Sequence, residues 1–406
     1  MTVRPLQPAG LRSRAVNFQA SPPLSLYIHI PWCARKCPYC DFNSHEVRGA
    51  SPEGGDAQIP EKEYVAALVR DLELALPLIW GRKVYTVFFG GGTPSLLSGE
   101  AVAEILRQVR MLLPLELNAE ITLEANPGTV EAGRFAAYRD AGVNRLSLGI
   151  QSFNDAHLRV LGRIHGADEA RRAIEIAQRH FDNINLDLMY ALPGQAPEQA
   201  LQDIKTALMF APPHLSCYHL TLEPNTLFYR NPPPLPDDDV SGEIQSRIEE
   251  LLAAHGYEHY ETSAFAQPKR RSRHNLNYWQ FGDYLGIGAG AHSKLSFHDR
   301  VIRQVRHRQP QAYLGAVVQG APVQSEHEAG CDELPFEFMM NALRLNEGFE
   351  ATLFQERTSL PLLTIRRELE EAERRGLLFR DHQRIAPTRL GQRFLNDLLE
   401  IFLAEK

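Results

Sequence analysis

The sequence "YIHIPWCARKCPYCDFNS", residues 27 to 44, decides how the rest of the chain is interpreted. It holds three of the five cysteines, Cys33, Cys37 and Cys40, with the spacing C-x3-C-x2-C. A disulfide uses two thiols, and a structural zinc site usually has four ligands. Three clustered thiols are an incomplete set for either, and the residue after Asp41, where a fourth cysteine could stand, is Phe42.

The composition indicates a globular protein with two domains. The chain has 406 residues, and this length is more than one hydrophobic core usually serves. Of these residues, 44% are hydrophobic and 23% are charged, which is ordinary for a globular protein. The net charge of −7 argues against generic nucleic-acid binding. No apolar run approaches the roughly 20 residues that span a bilayer. Residues 1–23 lack the apolar segment of a signal peptide, so we expect a flexible N-terminal tail.

Cysteine usage favours a metal site in a reducing compartment. Cys217 and Cys331 are isolated from the cluster and from each other, and this pattern does not suit a disulfide scaffold. We therefore expect a cytoplasmic protein.

Strand-like and helix-like segments alternate about six times over residues 24–265. The β-rich runs are "LSLYIHI" (24–30), "VYTVFF" (84–89), "EITLEA" (120–125), "RLSLGI" (145–150), "INLDLMY" (184–190) and "HLSCYHLTL" (214–222). This alternation predicts parallel strands joined by right-handed crossovers. Polar or special residues follow the ends of these runs, as at the functional face of a βα barrel. The first βα turn lacks GxGxxG, which weakens a dinucleotide-binding alternative. We predict an α/β fold with a partial (β/α)6 barrel.

The remainder divides into a connecting segment, 266–332, and a C-terminal domain, 333–406. The latter alternates short helices with a hairpin around "LLFRDHQRIAPT" (377–388) and ends in a helix, which predicts a mostly helical, winged-helix-like domain. Winged helices often bind DNA. Residues 351–400 carry 9 Arg and 8 acidic residues, so the basic surface for DNA is missing. We expect a structural or protein-contacting role and no nucleic-acid partner.

The thiol spacing suits an inorganic cluster. A [4Fe–4S] cluster normally takes four cysteine ligands, so three leave one iron open for another ligand. A Cys3His zinc site that uses His29 or His45 is an alternative, and so are three unliganded thiols. The segment "GGGTPS" (90–95) follows the second strand, where glycines let the backbone approach a ligand closely.

From Leu24 to about Ser293 the sequence resembles the oxygen-independent coproporphyrinogen oxidase branch of the radical S-adenosylmethionine (SAM) superfamily. The segments that carry the resemblance are "YIHIPWCARKCPYCDF", "FFGGGTPSLL", "LEANPGT", "RLSLGIQSFND", "LGRIHG", "NLDLMYALPGQ" and "LSCYHLTLEPNT". The resemblance implies that Cys33, Cys37 and Cys40 hold a [4Fe–4S] cluster whose coordination SAM completes.

The resemblance also implies a set of SAM-binding residues. They are Tyr27, Tyr39, Gly91, Gly92, Thr93, Glu124, Gln151, Arg163 and Asp187. Among them, the fork of Arg163 suits the SAM carboxylate, and Tyr39 would shield the cluster. Each has a structural alternative, such as loop packing for Tyr39 or a surface ion pair for Arg163.

Two features resemble the heme chaperones within this branch. The coproporphyrinogen dehydrogenases carry a further cysteine where this chain has Phe42. The segment "HNLNYW" (274–279) matches the H-N-x-x-Y-W motif of the chaperone group. Imidazole is a common heme ligand, so His274 is the candidate ligand, with Tyr278 and Trp279 as flat faces for the porphyrin.

Other assignments within this motif stay open. His29, His219 and His292 are further candidate ligands. The alternative for His274 and Asn275 is that they only organise a loop over the barrel mouth.

The expected function is that of a cytoplasmic heme chaperone that carries a [4Fe–4S] cluster and SAM. Its expected partners are heme and recipient heme proteins, above all membrane-bound respiratory enzymes. Peripheral association with the inner face of the membrane and a homodimer belong to the same expectation. One alternative is an oxygen-independent coproporphyrinogen III dehydrogenase; another is a zinc-stabilised βα protein. These residues do not decide whether SAM is cleaved.

Overall fold

The computed structural model describes residues 16–47, 59–127 and 132–403. Residues 1–15 of the predicted N-terminal tail lie outside this part of the chain. A sheet of 12 strands forms the centre of the molecule, and a three-stranded sheet lies in the C-terminal region. No helix in the described residues is long and apolar enough to cross a membrane.

Six parallel strands form the middle of the large sheet, in chain order. They are β1 (Leu24–Ile30), β2 (Val84–Gly91), β3 (Leu115–Ala125), β4 (Arg145–Gln151), β5 (Ile184–Tyr190) and β6 (His214–His219). A short parallel pair, Trp32–Cys33 with His45–Glu46, brackets the cysteine loop. In the described residues the sheet has two free edges and does not close on itself. The predicted partial barrel of the radical SAM type is confirmed.

Helices connect and cover these strands. They are α1 (Glu61–Ala75), α2 (Gly99–Leu112), α3 (Ala132–Ala141), α4 (Asp155–Val160), α5 (Ala167–Gln178), α6 (Pro197–Leu208), α7 (Leu227–Arg230) and α8 (Asp238–Ala254). Ser98 caps α2, as its position before an amphipathic run predicts: its hydroxyl accepts a hydrogen bond from the amide of Ala101 at 3.1 Å. The strands are buried by these helices outside and by each other's side chains inside, so β1 is buried along nearly its whole length.

The segment 266–332, predicted to be a connection, extends the sheet. After β7 (Glu258–Glu261) and β8 (Ala264–Ala266) come α9 (Arg273–Trp279), β9 (Asp283–Ile287), β10 (His292–Ser296), β11 (Val301–Arg306), α10 (Pro310–Val318) and β12 (Val323–Glu328). Strand β9 pairs in parallel with β1, and β10 to β12 continue antiparallel from it. Glycines on both sides of this short strand concealed it in the sequence.

The C-terminal region has the predicted order of helices, hairpin and final helices. Its elements are α11 (Leu334–Ala342), β13 (Phe349–Glu350), α12 (Ala351–Thr358), α13 (Arg366–Arg374), β14 (Leu378–Arg380), β15 (Arg384–Pro387), α14 (Arg389–Arg393) and α15 (Leu395–Glu400). Phe338 lies in the middle of its core, with ring centroids 5.0 Å from Phe349 and 5.2 Å from Phe354. Val16 and Phe18 are buried in the same core. The described end of the predicted tail is therefore packed.

A buried carboxylate joins β9 to β10 and to the segment that precedes β2. Asp283, which is fully buried, accepts hydrogen bonds from Lys294 Nζ at 2.9 Å and the amide of Ser296 at 2.7 Å, and it pairs with Arg82 at 2.9 Å. Burial alone raises the pKa of Asp283, but the charges of Lys294 and Arg82 outweigh it and hold that pKa below its usual value.

Replacing this carboxylate should destabilise the fold strongly. Asp283→Asn leaves the buried Lys294 cation without a counter-charge, which should lower the free energy of unfolding by about 3–5 kcal/mol. The exposed carboxylate of Glu73, paired with Arg70 at 2.9 Å, provides the control: Glu73→Gln should cost about 0–1 kcal/mol. Urea unfolding of both variants measures the difference. Equal effects would show that Asp283 does not have this role.

Candidate functional site

A cavity of about 380 Å³ opens at the carboxyl ends of the parallel strands, and we call it the thiol cavity. Eleven of the residues predicted to bind the cluster or SAM line it: Cys33, Cys37, Tyr39, Cys40, Gly91, Gly92, Thr93, Glu124, Gln151, Arg163 and Asp187. The twelfth, Tyr27, lines a neighbouring cleft instead. Strands of a parallel sheet end at one edge, which is why residues up to 154 positions apart in the sequence meet here.

Each thiol at the rim of this cavity has a polar neighbour. The contacts are Thr93 Oγ1 to Cys33 Sγ at 3.5 Å, Arg163 Nη1 to Cys37 Sγ at 3.6 Å, and Cys40 Sγ to Ser44 Oγ at 3.8 Å. Burial raises the pKa of Cys33 and of Cys40. Metal coordination requires the thiolate, so metal binding at these residues must release protons.

The donor set fits a cluster better than one zinc ion. In the described residues no three His, Cys, Asp or Glu side chains surround one point that would suit a metal ion. A cubane cluster presents a separate iron to each thiolate, so its ligands need not converge. His29, one candidate fourth zinc ligand, has its Nδ1 3.1 Å from Tyr27 Oη and its Nε2 2.9 Å from the carbonyl of Asn43. Both of its ring nitrogens are occupied.

The glycine segment after β2 is joined to the cysteine loop by close backbone contacts. The amides of Gly92 and Thr93 donate to the carbonyls of Ile30 and Trp32, each at 2.7 Å. A Cβ at position 92 would lie 2.5 Å from the Trp32 carbonyl oxygen, so only glycine fits there. This packing leaves backbone groups of residues 91–93 at the cavity wall.

Two carboxyl groups face the interior end of the thiol cavity. Burial, together with the charge of Asp187, raises the pKa of Glu124 to about 8. Burial also raises the pKa of Asp187, although Ser147 and Asn185 donate hydrogen bonds to it at 2.7 and 2.8 Å. At neutral pH the Glu124 carboxyl is therefore mostly protonated and can donate a hydrogen bond to a ligand.

Polar atoms of Gln151 and Arg163 in the same cavity suit a polar ligand. Gln151 adopts a left-handed backbone conformation, with φ of 61°, and its buried Oε1 has no hydrogen-bond partner in the described residues. Buried Nε of Arg163 also lacks one there. The Arg163 guanidinium forms no ion pair within that part of the chain; it donates to the carbonyl of Gly149 at 3.0 Å and to Asn126. A ligand carboxylate would supply an acceptor for Nε of Arg163 and a counter-charge for its guanidinium, so the residues fit SAM.

Sequence reasoning missed Asn126, which lies between these groups. Its amide donates to Thr93 Oγ1 at 3.0 Å, and its carbonyl oxygen accepts from Arg163. It follows β3 directly in "LEANPGT", so its place at a strand end was the available signal.

The three residues predicted to contact heme lie in three different places. His274 is only 2% exposed; its Nδ1 is 2.7 Å from Thr86 Oγ1, and its ring stacks on Phe88 with a centroid distance of 4.8 Å. Tyr278 lines the cleft beside the thiol cavity. Trp279 lies under the guanidinium of Arg344, 4.3 Å from the ring centroid.

The prediction that His274 ligates heme stays a prediction, and its side chain is buried away from both openings. The imidazole lies inside the barrel and lines neither the thiol cavity nor the neighbouring cleft. Its Nδ1 faces Thr86, and its buried Nε2 has no hydrogen-bond partner among the described residues.

The pKa of Glu124 leads to a prediction. As pH rises from about 4.5 to about 8, the unfolded chain loses this proton while the folded protein keeps it, so the folded state loses stability. Glu124→Gln removes that loss. The variant should therefore gain at least about 1 kcal/mol over the parent between pH 5.5 and pH 8.5. Urea unfolding at both pH values measures this gain.

Glu104 provides the control for this experiment. Its carboxylate is exposed on α2 and pairs with Arg107 at 2.7 Å, and its pKa is lowered to about 2 by the hydrogen bonds that Arg107 and Gln108 donate. It stays ionised throughout the range, so Glu104→Gln should differ from the parent by a constant amount. A constant difference for Glu124→Gln as well would contradict the raised pKa.

Comparison with known proteins identifies two family models in the chain. The model of the radical SAM superfamily matches residues 27–207, and the HemN C-terminal domain matches residues 332–394. Among solved structures, coproporphyrinogen III oxidase (HemN) from Escherichia coli superposes with a TM-score of 0.79 at 23% identity. The match covers 95% of this chain and 91% of that one, and it shows the fold alone.

Curated relatives are closer in sequence. The chain is 50% identical to the heme chaperone HemW of Escherichia coli over 95% of this chain and 99% of that protein. It is 45% identical to the HemW of Haemophilus influenzae with the same coverage. A mitochondrial radical SAM domain-containing protein of Mus musculus is 36% identical over 95% of this chain and 88% of its own length. On this similarity, which extends over nearly the whole of both chains, the chain belongs to the HemW family of the radical SAM superfamily.

Proposed function

We propose that the protein is a heme chaperone that binds heme and passes it to heme-dependent proteins, and that it carries a [4Fe–4S] cluster and SAM. The observation that carries the proposal is the thiol cavity, because it gathers three cysteines, a glycine edge and a buried arginine at one end of the barrel. The similarity to proteins named heme chaperones supports heme as the cargo.

In this proposal the cysteine loop holds the cluster and the cavity walls hold SAM. Cys33, Cys37 and Cys40 would each bind one iron, and a reduced cluster would supply one electron to the sulfonium of bound SAM. Arg163 would bind the SAM carboxylate. The other roles are those that the family resemblance implies for residues lining the cavity: Gly91, Gly92 and Thr93 for the methionyl part, Glu124 and Gln151 for ribose or amino groups, Asp187 for the adenosyl half, and Tyr39 as a cover for the cluster.

Tyr27 has a different role in this proposal from the one expected. Its hydroxyl is 3.1 Å from His29 Nδ1, and its ring stacks on Phe88 with a centroid distance of 6.2 Å. It lines the cleft and not the thiol cavity. We infer that Tyr27 separates the two compartments and orients His29.

We infer that the recipients are membrane-bound respiratory enzymes, reached by peripheral association with the inner face of the membrane. The C-terminal region would contact the recipient or a second copy of the chain, since its charges are nearly balanced and do not suit nucleic acid.

Reconstitution separates this function from its alternatives. The protein, loaded anaerobically with iron and sulfide, should bind hemin and should form no protoporphyrinogen IX from coproporphyrinogen III with SAM and a reductant. Hemin difference spectra and porphyrin chromatography measure the two results. Turnover of coproporphyrinogen III would overturn the chaperone assignment, and a colourless zinc protein would overturn the cluster.

The cluster ligands can be tested one residue at a time. Cys40→Ser should lose the [4Fe–4S] cluster, seen as a fall in bound iron and loss of its absorption, because two thiolates hold a cubane poorly. Cys331→Ser changes a partly buried cysteine outside the cavity and should retain it. A Cys40→Ser protein with full iron content would remove Cys40 from the ligand set.

A further inference from the structure

The cleft beside the thiol cavity has a composition that the sequence did not predict. It has a volume of about 380 Å³, and we call it the aromatic cleft after Tyr27, Phe42, Tyr278 and Tyr284, which line it. We propose that this cleft is the heme-binding site and that His292 is the axial ligand of the iron. The proposal rests on the heme-chaperone function above and gives that function a location.

Aromatic side chains form the walls of the cleft. Phe42 is 63% exposed, which is unusual for a phenylalanine that has a cavity beside it. Tyr278 and Tyr284 pack together with ring centroids 4.5 Å apart. Flat apolar surfaces of this kind suit a planar conjugated ligand. The exposed ring of Phe42 would gain buried area when a porphyrin binds.

Two imidazoles among the described residues line the cleft, and of these two His292 is the available one. His29 uses both ring nitrogens in contacts with Tyr27 and with the Asn43 carbonyl. His292 lies at the start of β10, is exposed, and forms no side-chain hydrogen bond within the described part of the chain. Partial burial, with the nearby charges of Arg308 and Arg303, lowers the pKa of His292. Its imidazole is therefore neutral at pH 7, as iron coordination requires.

A cation beside His292 suits a heme propionate. Arg308 is exposed and forms no ion pair among the residues that the structure describes, and its carbonyl accepts a hydrogen bond at 3.0 Å from Asn43 Nδ2, whose residue lines the cleft. Arg303, the other nearby cation, is engaged by Glu337 and donates to Tyr284 Oη at 3.1 Å. Of these two described cations, Arg308 is thus the one without an acidic partner and can pair with an incoming carboxylate.

The aromatic cleft shares walls with the thiol cavity. Phe42, Gly91 and Glu124 line both. A heme in the cleft would therefore be separated from SAM and the cluster by a single layer of side chains. Phe42 belongs to that layer and replaces the extra cysteine expected in the dehydrogenases, which gives this substitution a structural meaning.

Hemin titration of the full-length protein, reconstituted with its cluster, tests the site. His292→Ala should weaken hemin binding at least about tenfold and abolish the histidine-ligated spectrum, and free imidazole should restore that spectrum. His382→Ala is the matched control, because His382 is exposed and lines neither the thiol cavity nor the cleft. It should bind hemin as the parent does.

Metal-free protoporphyrin IX separates coordination from packing. His292→Ala should bind it as tightly as the parent does, while Phe42→Ala should weaken both porphyrins. If the parent binds hemin and His292→Ala keeps its affinity and spectrum, the site is wrong while the chaperone function stands. If the parent protein binds no hemin, the function and the site both fall. His292 is exposed, so its replacement should leave the unfolding transition unchanged.

Discussion

The parallel pairing of β1 with a strand on each side is the constraint on which both cavities depend. Tyr27 pairs with Phe88 of β2 on one side and with Gly286 of β9 on the other. Because β1 is held on both sides, its carboxyl end delivers the cysteine loop to a fixed point between the two halves of the sheet. Hydrogen bonds from the amides of His45 and Val47 to the carbonyls of Pro31 and Cys33 then close the loop on itself.

The interior of the barrel is polar at the amino-terminal ends of the strands, which is the end away from the two cavities. This polar interior explains why the H-N-x-x-Y-W segment carries a histidine and an asparagine. Helix α9 fills the amino-terminal half of the barrel: His274 bonds Thr86, and Asn277 Nδ2 donates to Ser25 Oγ at 2.9 Å. Burial lowers the pKa of His274 to about 3, so the ring is neutral at physiological pH. The same helix presents Tyr278 to the aromatic cleft. One helix thus connects the amino-terminal half of the barrel, which His274 contacts, to the proposed heme site, which Tyr278 lines.

Much of the fold and of the thiol cavity could be predicted from the sequence. The βα alternation specifies parallel strands, and parallel strands end at one face, so Cys33, Glu124 and Asp187 could be assigned to one site from order alone. Strand β9 could not be predicted from the sequence, because its five residues stand between glycines and carry too little periodic signal. The burial of His274 and the exposure of His292 could not be predicted either, because each depends on what packs around the imidazole in the folded chain.

By itself, the sequence determined the order of the elements, the spacing of the thiols and the family of the chain, because these depend on local pattern and on similarity along the chain. The tertiary structure decided which of the candidate histidines are buried and which are exposed, that Tyr27 and Phe42 border a second cavity, and that residues 266–332 extend the sheet. These features depend on contacts between residues that lie far apart in the sequence, such as Tyr27 with Gly286. Local preferences carry no information about such contacts, because packing of the whole chain selects them.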